Sequence, residues 1–165
     1  FMARGDSARA AAAFDRALDG AGDSEDDSEG DCLAAAARDA AREHAAALAL
    51  KANRPARAFE LLAGLRSTGA TTNRGFALIQ LGRPAEGMLE FERALRDAPD
   101  DPESSFGRAL ALVRLRRVPE AVVALRAFAD RWPRHFAAAE ARRLLSTLGR
   151  SGEFLVPGAV PPYHR

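Results

Sequence analysis

"GRPAEGMLEFERALRDAPDDPE", residues Gly82–Glu103, opens on a glycine-centred turn, continues as an amphipathic helix and stops at a proline–aspartate cluster. Whether it stands alone or is one copy of a repeated unit decides the fold. Slid along the chain until Gly82 falls on Arg116, the stretch also brings Gly87 onto Ala121, Ala94 onto Phe128 and Pro99 onto Pro133. Just upstream, the same shift brings Gly75 onto Ala109 and Leu78 onto Leu112. Small residues meeting small ones, with a leucine and a proline matched at the same offset, indicate a helix-hairpin unit present at least twice.

The punctuation agrees. Asn53-Arg54-Pro55, Gly82-Arg83-Pro84 and Arg117-Val118-Pro119 each place a proline at or near the start of a second helix. Proline suits that position because its missing N–H has no helical partner there and its φ is already helical. Pro99 and Pro133 stop those helices, since proline cannot continue the ladder. Met88, Phe91, Ala94 and Leu95 share one helical face, as do Val122, Leu125, Phe128 and Ala129.

Working outward, "NRPARAFELLAGLRS" (53–67) is a further copy, but Asn53 lies closer to Gly82 than Gly82 lies to Arg116. The second helix of this copy or the following turn, marked by Ser67, Thr68 and Gly69, is therefore expected to be short. Its first helix lies in "DCLAAAARDAAREHAAALALKA" (31–52), with Asp31 as the expected cap. The resulting organisation has the second helix of a truncated unit over 1–19, an acidic flexible loop over 20–31 and a helix hairpin over 32–67. Full repeats follow over 68–101 and 102–135, then a capping helix over 136–150 and an extended, proline-containing tail over 151–165. The array is expected to continue upstream of Phe1. In the capping helix Arg142 and Arg143 are expected outward, and Leu144, Leu145 and Leu148 inward.

Composition narrows the class. Of the 165 residues 47% are hydrophobic, enough for a core, and no apolar run approaches the roughly 20 residues of a membrane span. Cys32 is the only cysteine, which leaves no intramolecular disulfide or thiolate cage and fits a reducing compartment, the bacterial cytoplasm before the periplasm. Lys51 is the only lysine, and the bias to arginine and alanine points to a GC-rich bacterial genome. Net charge is +1, but residues 102–165 carry 11 arginines against 5 acids. That asymmetry raises an acidic partner or head-to-tail contact between copies as alternatives to a merely solvated face.

Through Gly75, Leu78, Gly82, Phe91, Ala94 and Pro99, and again through Ala109, Leu112, Ala121, Leu125, Phe128 and Pro133, the chain resembles the tetratricopeptide repeat family over roughly residues 1–150. It departs from the family pattern where Thr71 and Ser105 replace a large aromatic and where Gly87 replaces alanine. The resemblance implies an all-α, right-handed superhelical array of antiparallel helix hairpins. It also implies a non-enzymatic protein–protein interaction scaffold, without a cofactor, whose concave groove holds a peptide or amphipathic helix of another protein. By the family register, Glu43, His44, Ala47, Leu50 and Lys51 face the groove. So do Asn73, Phe76, Ile79 and Gln80, and then Phe106, Leu110, Val113 and Arg114. A subclass of the family clamps terminal carboxylates. Asn73 matches its middle asparagine, but Glu43, Ala47, Glu103 and Gly107 stand where the clamp needs basic residues and asparagine, so that clamp is absent. The alternative for the apolar members of this set is that some of them pack against the next unit. Phe106→Ala is expected to abolish partner capture without unfolding the chain.

Other chemistry finds little footing. His44, His135 and His164 are scattered, and no HExxH spacing or phosphate-binding glycine loop occurs. Glu25, Asp27 and Glu29 alternate as in a calcium loop, but Ala36 occupies the place of the bidentate glutamate. No catalytic or metal-ligating residue is assigned. The runner-up reading is nucleic-acid or acidic-partner binding through Arg116, Arg117, Arg142 and Arg143, helped by Arg114. Interleaved aromatic platforms for bases are lacking, and Trp132 is expected to pack. Self-association through exposed repeat ends is the third reading. Adding calcium is expected to leave the thermal midpoint unchanged; a calcium-dependent rise would reassign the acidic segment as an ion site.

Overall fold

The computed structural model of the chain describes residues 28–150. Among these the fold is all-α, with seven helices and no strand: α1 (Ser28–Lys51), α2 (Pro55–Leu61), α3 (Thr68–Gln80), α4 (Pro84–Asp97), α5 (Pro102–Arg114), α6 (Val118–Arg131) and α7 (Ala138–Arg150). The truncated unit over 1–19, most of the acidic loop and the tail over 151–165 lie outside the described residues. Helix α1 begins at Ser28, so residues 28–31 are helical rather than loop and Asp31 is not a cap. None of the four is proline, and the single Gly30 costs a helix only about 1 kcal/mol.

One turn is built three times. After α1, α3 and α5 the same three backbone bonds close the helix. After α1 they run from Ala52 to Leu48, Asn53 to Leu50 and Arg54 to Ala49. The set recurs after α3, ending in Arg83 to Leu78, and after α5, ending in Arg117 to Leu112. The middle residue of each turn is left-handed, with φ of 59° at Asn53, 76° at Gly82 and 59° at Arg116. This conformation places orphan helix-end carbonyls in bonds but crowds any Cβ, so Gly82 suits it, Asn53 tolerates it and Arg116 is strained. The next residue, an arginine each time, takes the N-cap position of the following helix without a side-chain bond to its backbone, and that helix has a proline inside its first turn.

The shortfall between Asn53 and Gly82 comes out of α2 and its exit. Helix α2 spans 7 residues, against 14 in α4 and α6. Ser67 is the N-cap of α3, its Oγ accepting from the Ala70 N–H at 3.0 Å, so Thr68 and Gly69 belong to the helix rather than the turn. Ser67 Oγ also donates to Glu43 at 2.6 Å, which ties that cap to α1. Asp101 caps α5 through the Ser104 N–H at 2.8 Å.

Each helix packs on the next, and in addition α1 lies against α3 and α3 against α5. Second helices therefore sit between successive first helices, and the core forms where they wedge in. Phe91 of α4, fully buried, is the largest wedge. A Cβ on Gly75 of α3 would stand 2.6 Å from its ring, and one on Gly107 of α5 would stand 2.2 Å from it. Gly87 brings α4 itself close, since a Cβ there would lie 2.8 Å from the Gly75 carbonyl oxygen. The equivalent wedges in the neighbouring units are smaller. Leu62 shares a cluster with Ala46, and Leu125 shares one with Ala109 and Ala141. At this position of the unit a ring stands only where glycine makes room.

Two outcomes follow for unfolding in urea. Gly107→Ala should lower stability by about 1–3 kcal/mol through overpacking. Adding Phe91→Leu should recover part of the loss, because leucine between alanines is the arrangement already present around Leu125; additive losses would refute the wedge. Arg116→Gly should raise stability by about 1 kcal/mol by relieving the left-handed strain. A destabilised Arg116→Gly chain would show that the Arg116 side chain makes up for its backbone.

Candidate functional site

The expected groove lies on α3 and α5, and the structure sets these helices side by side. Thr72 Oγ1 and Ser104 Oγ, both buried, meet at 2.6 Å. Thr72 donates its only hydroxyl proton to the Thr68 carbonyl at 2.8 Å, so Ser104 is the donor across the helix pair. Phe76 and Leu110 take the same place on two helices of equal length, as do Ile79 and Val113, and Gln80 and Arg114.

These residues have different surroundings. Gln80 and Arg114 are exposed at the ends of their helices, and Asn73, Phe76, Leu110 and Val113 are half-buried. Ile79 is buried, packed with Phe91 and Ala111, and its Cγ1 would be 3.2 Å from a Cβ on Gly87. It faces α4, as the packing alternative has it for some of the set. Phe76 meets Phe91 edge to face at 5.0 Å. Phe106 stacks on buried Phe128 at 5.3 Å, so it is half core and half surface. Truncating it removes a packing contact as well as any partner contact, and Phe106→Ala is therefore not a clean probe of capture. On α1, Glu43 is engaged by Ser67, Ala47 and Leu50 are half-buried, and His44 and Lys51 are exposed.

The basic residues do not form one free patch. Arg117 grips Glu120 with two bonds of 2.7 and 2.5 Å, and Arg143 grips Glu140 in the same way. The side-chain hydrogen bond from the arginine, more than its charge, holds the Glu86, Glu120 and Glu140 carboxyls below the usual carboxylate range. A depressed folded value means each pair contributes above the ordinary carboxylate pKa and is lost as pH falls through the depressed one. At neutral pH the pairs are intact, and two of the four patch arginines are locally neutralised. Arg116 is exposed in its turn, and Arg142 donates to the Pro133 carbonyl at 3.3 Å. Trp132 packs, its ring 5.4 Å from Phe128 and the Arg131 guanidinium over it at 4.9 Å.

Sequence reasoning passed over Arg74. Its guanidinium donates to the Leu62 and Leu65 carbonyls at 3.0 and 2.7 Å, to Thr71 Oγ1 at 3.2 Å and to Glu90 at 3.1 and 3.2 Å. With its side chain only 13% exposed, it joins the α2–α3 loop to α3 and α4. The pair with Glu90 crosses a hairpin between two helices, so no short-range motif could reveal it.

Among the described residues no group of three His, Cys, Asp or Glu side chains is placed to hold a metal ion, and no helix is long and apolar enough to cross a membrane. No protein-family model matches the chain, and no curated protein or solved structure matches it significantly.

Arg74→Ala should cost about 2–4 kcal/mol, because two loop carbonyls and Glu90 lose their partner in a largely buried place. Arg108→Ala, at the same position of the next unit but exposed, should change stability by less than about 0.5 kcal/mol. Equal effects in thermal unfolding would show that Arg74 is not the tie the geometry describes.

Proposed function

We propose that the chain is a protein-interaction scaffold of the tetratricopeptide type, a right-handed superhelical array of helix hairpins rather than an enzyme. It holds a peptide or amphipathic helix of a partner across α3 and α5. The observation that carries this reading is the side-by-side setting of the two helices through Thr72 and Ser104, which gathers half-buried Asn73, Phe76, Leu110 and Val113 between exposed Gln80 and Arg114. Apolar groups accessible at one side and ringed by polar ends suit a partner helix with anchors on one face. Phe106 extends the apolar strip, and Ile79 backs it from below.

Nucleic-acid binding draws less support. Arg117 and Arg143 are held by glutamates of their own helices, and the one tryptophan is packed on Phe128. Phosphate binding wants clustered, unneutralised charge.

The test uses polar groove positions whose loss leaves the core alone. A nuclease-treated pull-down would compare the wild-type chain with Asn73→Ala/Arg114→Ala and with Arg116→Ala/Arg142→Ala. Capture should drop only for the first pair, with stability unchanged within about 0.5 kcal/mol. Capture that survives in the folded groove variant, or material lost on nuclease treatment, would overturn the reading.

A further inference from the structure

The hub built by Arg74 has a counterpart with one member missing. Helices α3 and α5 are equal in length, as are α4 and α6, and the shift that carries Thr68 onto Pro102 also carries Pro84 onto Val118. Arg108 therefore stands where Arg74 stands, and Ser105 stands where Thr71 stands. In place of Glu90, however, the third unit has Ala124. Both units open a cleft at this place. The first, about 610 Å³, is lined by Thr71, Arg74 and Glu90; the second, about 520 Å³, by Ser105, Arg108 and Ala124. Arg74 is drawn inward by its acid, while Arg108 stays exposed and makes no hydrogen bond or ion pair among the described residues.

The other charged groups at the second cleft are already engaged. Glu120 feels the charge of Arg108 but has both oxygens on Arg117, repeating the Arg83–Glu86 pair one unit earlier. Arg131 is bonded to Asp100. Among the described residues Arg108 is left without a carboxylate of its own. The wall beside it is apolar, with Trp132 half-exposed at the rim and Val123 70% exposed, where the earlier unit has Ala98 and Leu89.

We propose that the cleft between α5 and α6 receives an acidic side chain, flanked by an apolar one, from a segment of a partner protein. The carboxylate takes the place of Glu90 and accepts from Arg108, while the apolar neighbour covers Val123 beside Trp132, whose ring the Arg131 guanidinium overlies. Glu90, a protein side chain on the equivalent arginine, sets the chemistry of the occupant. The cleft lies open at Val123, which fits a side chain presented by a larger molecule better than a free metabolite, since a pocket normally buries most of a small ligand's surface. The cleft shares no residue with the groove on α3 and α5, so the two assignments stand or fall separately.

Trp132 is the chain's only tryptophan, so its fluorescence reports on this cleft. The probes are acetyl-Leu-Glu-Phe-amide, its Gln analogue and free 3-phenylpropionate, titrated into the full chain. The glutamate peptide should shift the Trp132 emission, and the Gln analogue should bind at least about tenfold more weakly, as loss of a charge-assisted bond requires. Arg108→Ala should weaken the glutamate peptide by the same factor. Ala124→Glu should supply the missing acid from within, keep or raise the thermal midpoint and abolish peptide binding. Asn73→Ala/Arg114→Ala should leave it unchanged. Equal binding of the two peptides, a glutamate peptide indifferent to Ala124→Glu, or binding of 3-phenylpropionate alone would each overturn the assignment.

Discussion

Everything in the described array hangs on how closely second helices can enter between first helices, and Phe91 sets that distance. A phenyl ring is admitted between α3 and α5 because Gly75 and Gly107 present backbone where other residues present a Cβ. Interiors are packed to crystal-like density, so a larger wedge demands smaller walls. The neighbouring units meet the same condition with different pieces, Leu62 beside Ala46 and Leu125 beside Ala109 and Ala141. Size is exchanged across the contact while the helices keep their lengths and offsets in the last two units.

Polar groups then fix what the wedge leaves free. An apolar contact has no strong preference for rotation or sliding, whereas a hydrogen bond does. Ser67 caps α3 and reaches Glu43 on α1; Ser104 reaches Thr72; Arg74 collects the carbonyls of the α2–α3 loop. These ties are consistent with every buried side-chain nitrogen and oxygen among the described residues having a partner. The N-terminal arginines of the second helices extend the ties backwards, Arg83 over the Phe59 ring at 5.9 Å and Arg117 toward the Met88 sulfur at 3.8 Å. Phe59 and Met88 are equivalent positions, so the same reach is made to two different apolar partners.

How much of this could be read in advance depends on range. The turns could, because the glycine and the prolines act on their own backbone: Pro55, Pro84 and Pro119 mark helix starts, and Gly82 sits in the left-handed place. The shortness of α2 followed from counting residues. The wedge was only half legible. Phe91 falls on the shared apolar face of its helix, but that Gly107 makes room for its ring depends on a contact between different helices. Arg74 was invisible for the same reason, its partners lying around a hairpin on other elements. The groove positions came from register alone, and register cannot say whether Ile79 turns to solvent or to Gly87. The start of α1 was misplaced because an acidic, apolar-poor stretch has no helical periodicity to detect, although nothing in residues 28–31 forbids a helix.

Charge gives the sharpest case of a sequence total that differs from a surface. Residues 102–165 sum to +6, yet that sum treats all arginines alike. Two of them, Arg117 and Arg143, face glutamates one turn away and contribute little field beyond their own helices, and Arg131 leans on Asp100. Arg108, Arg114 and Arg116 make no ion pair among the described residues, and they sit at three distinct places: beside a second helix, at the end of a first helix and in a turn. Screening in physiological salt acts over about 8 Å, so a charge summed over this half of the chain does not give the field at any one of these places. The arginines differ in neighbourhood, so what each can meet depends on the groups beside it and not on the total.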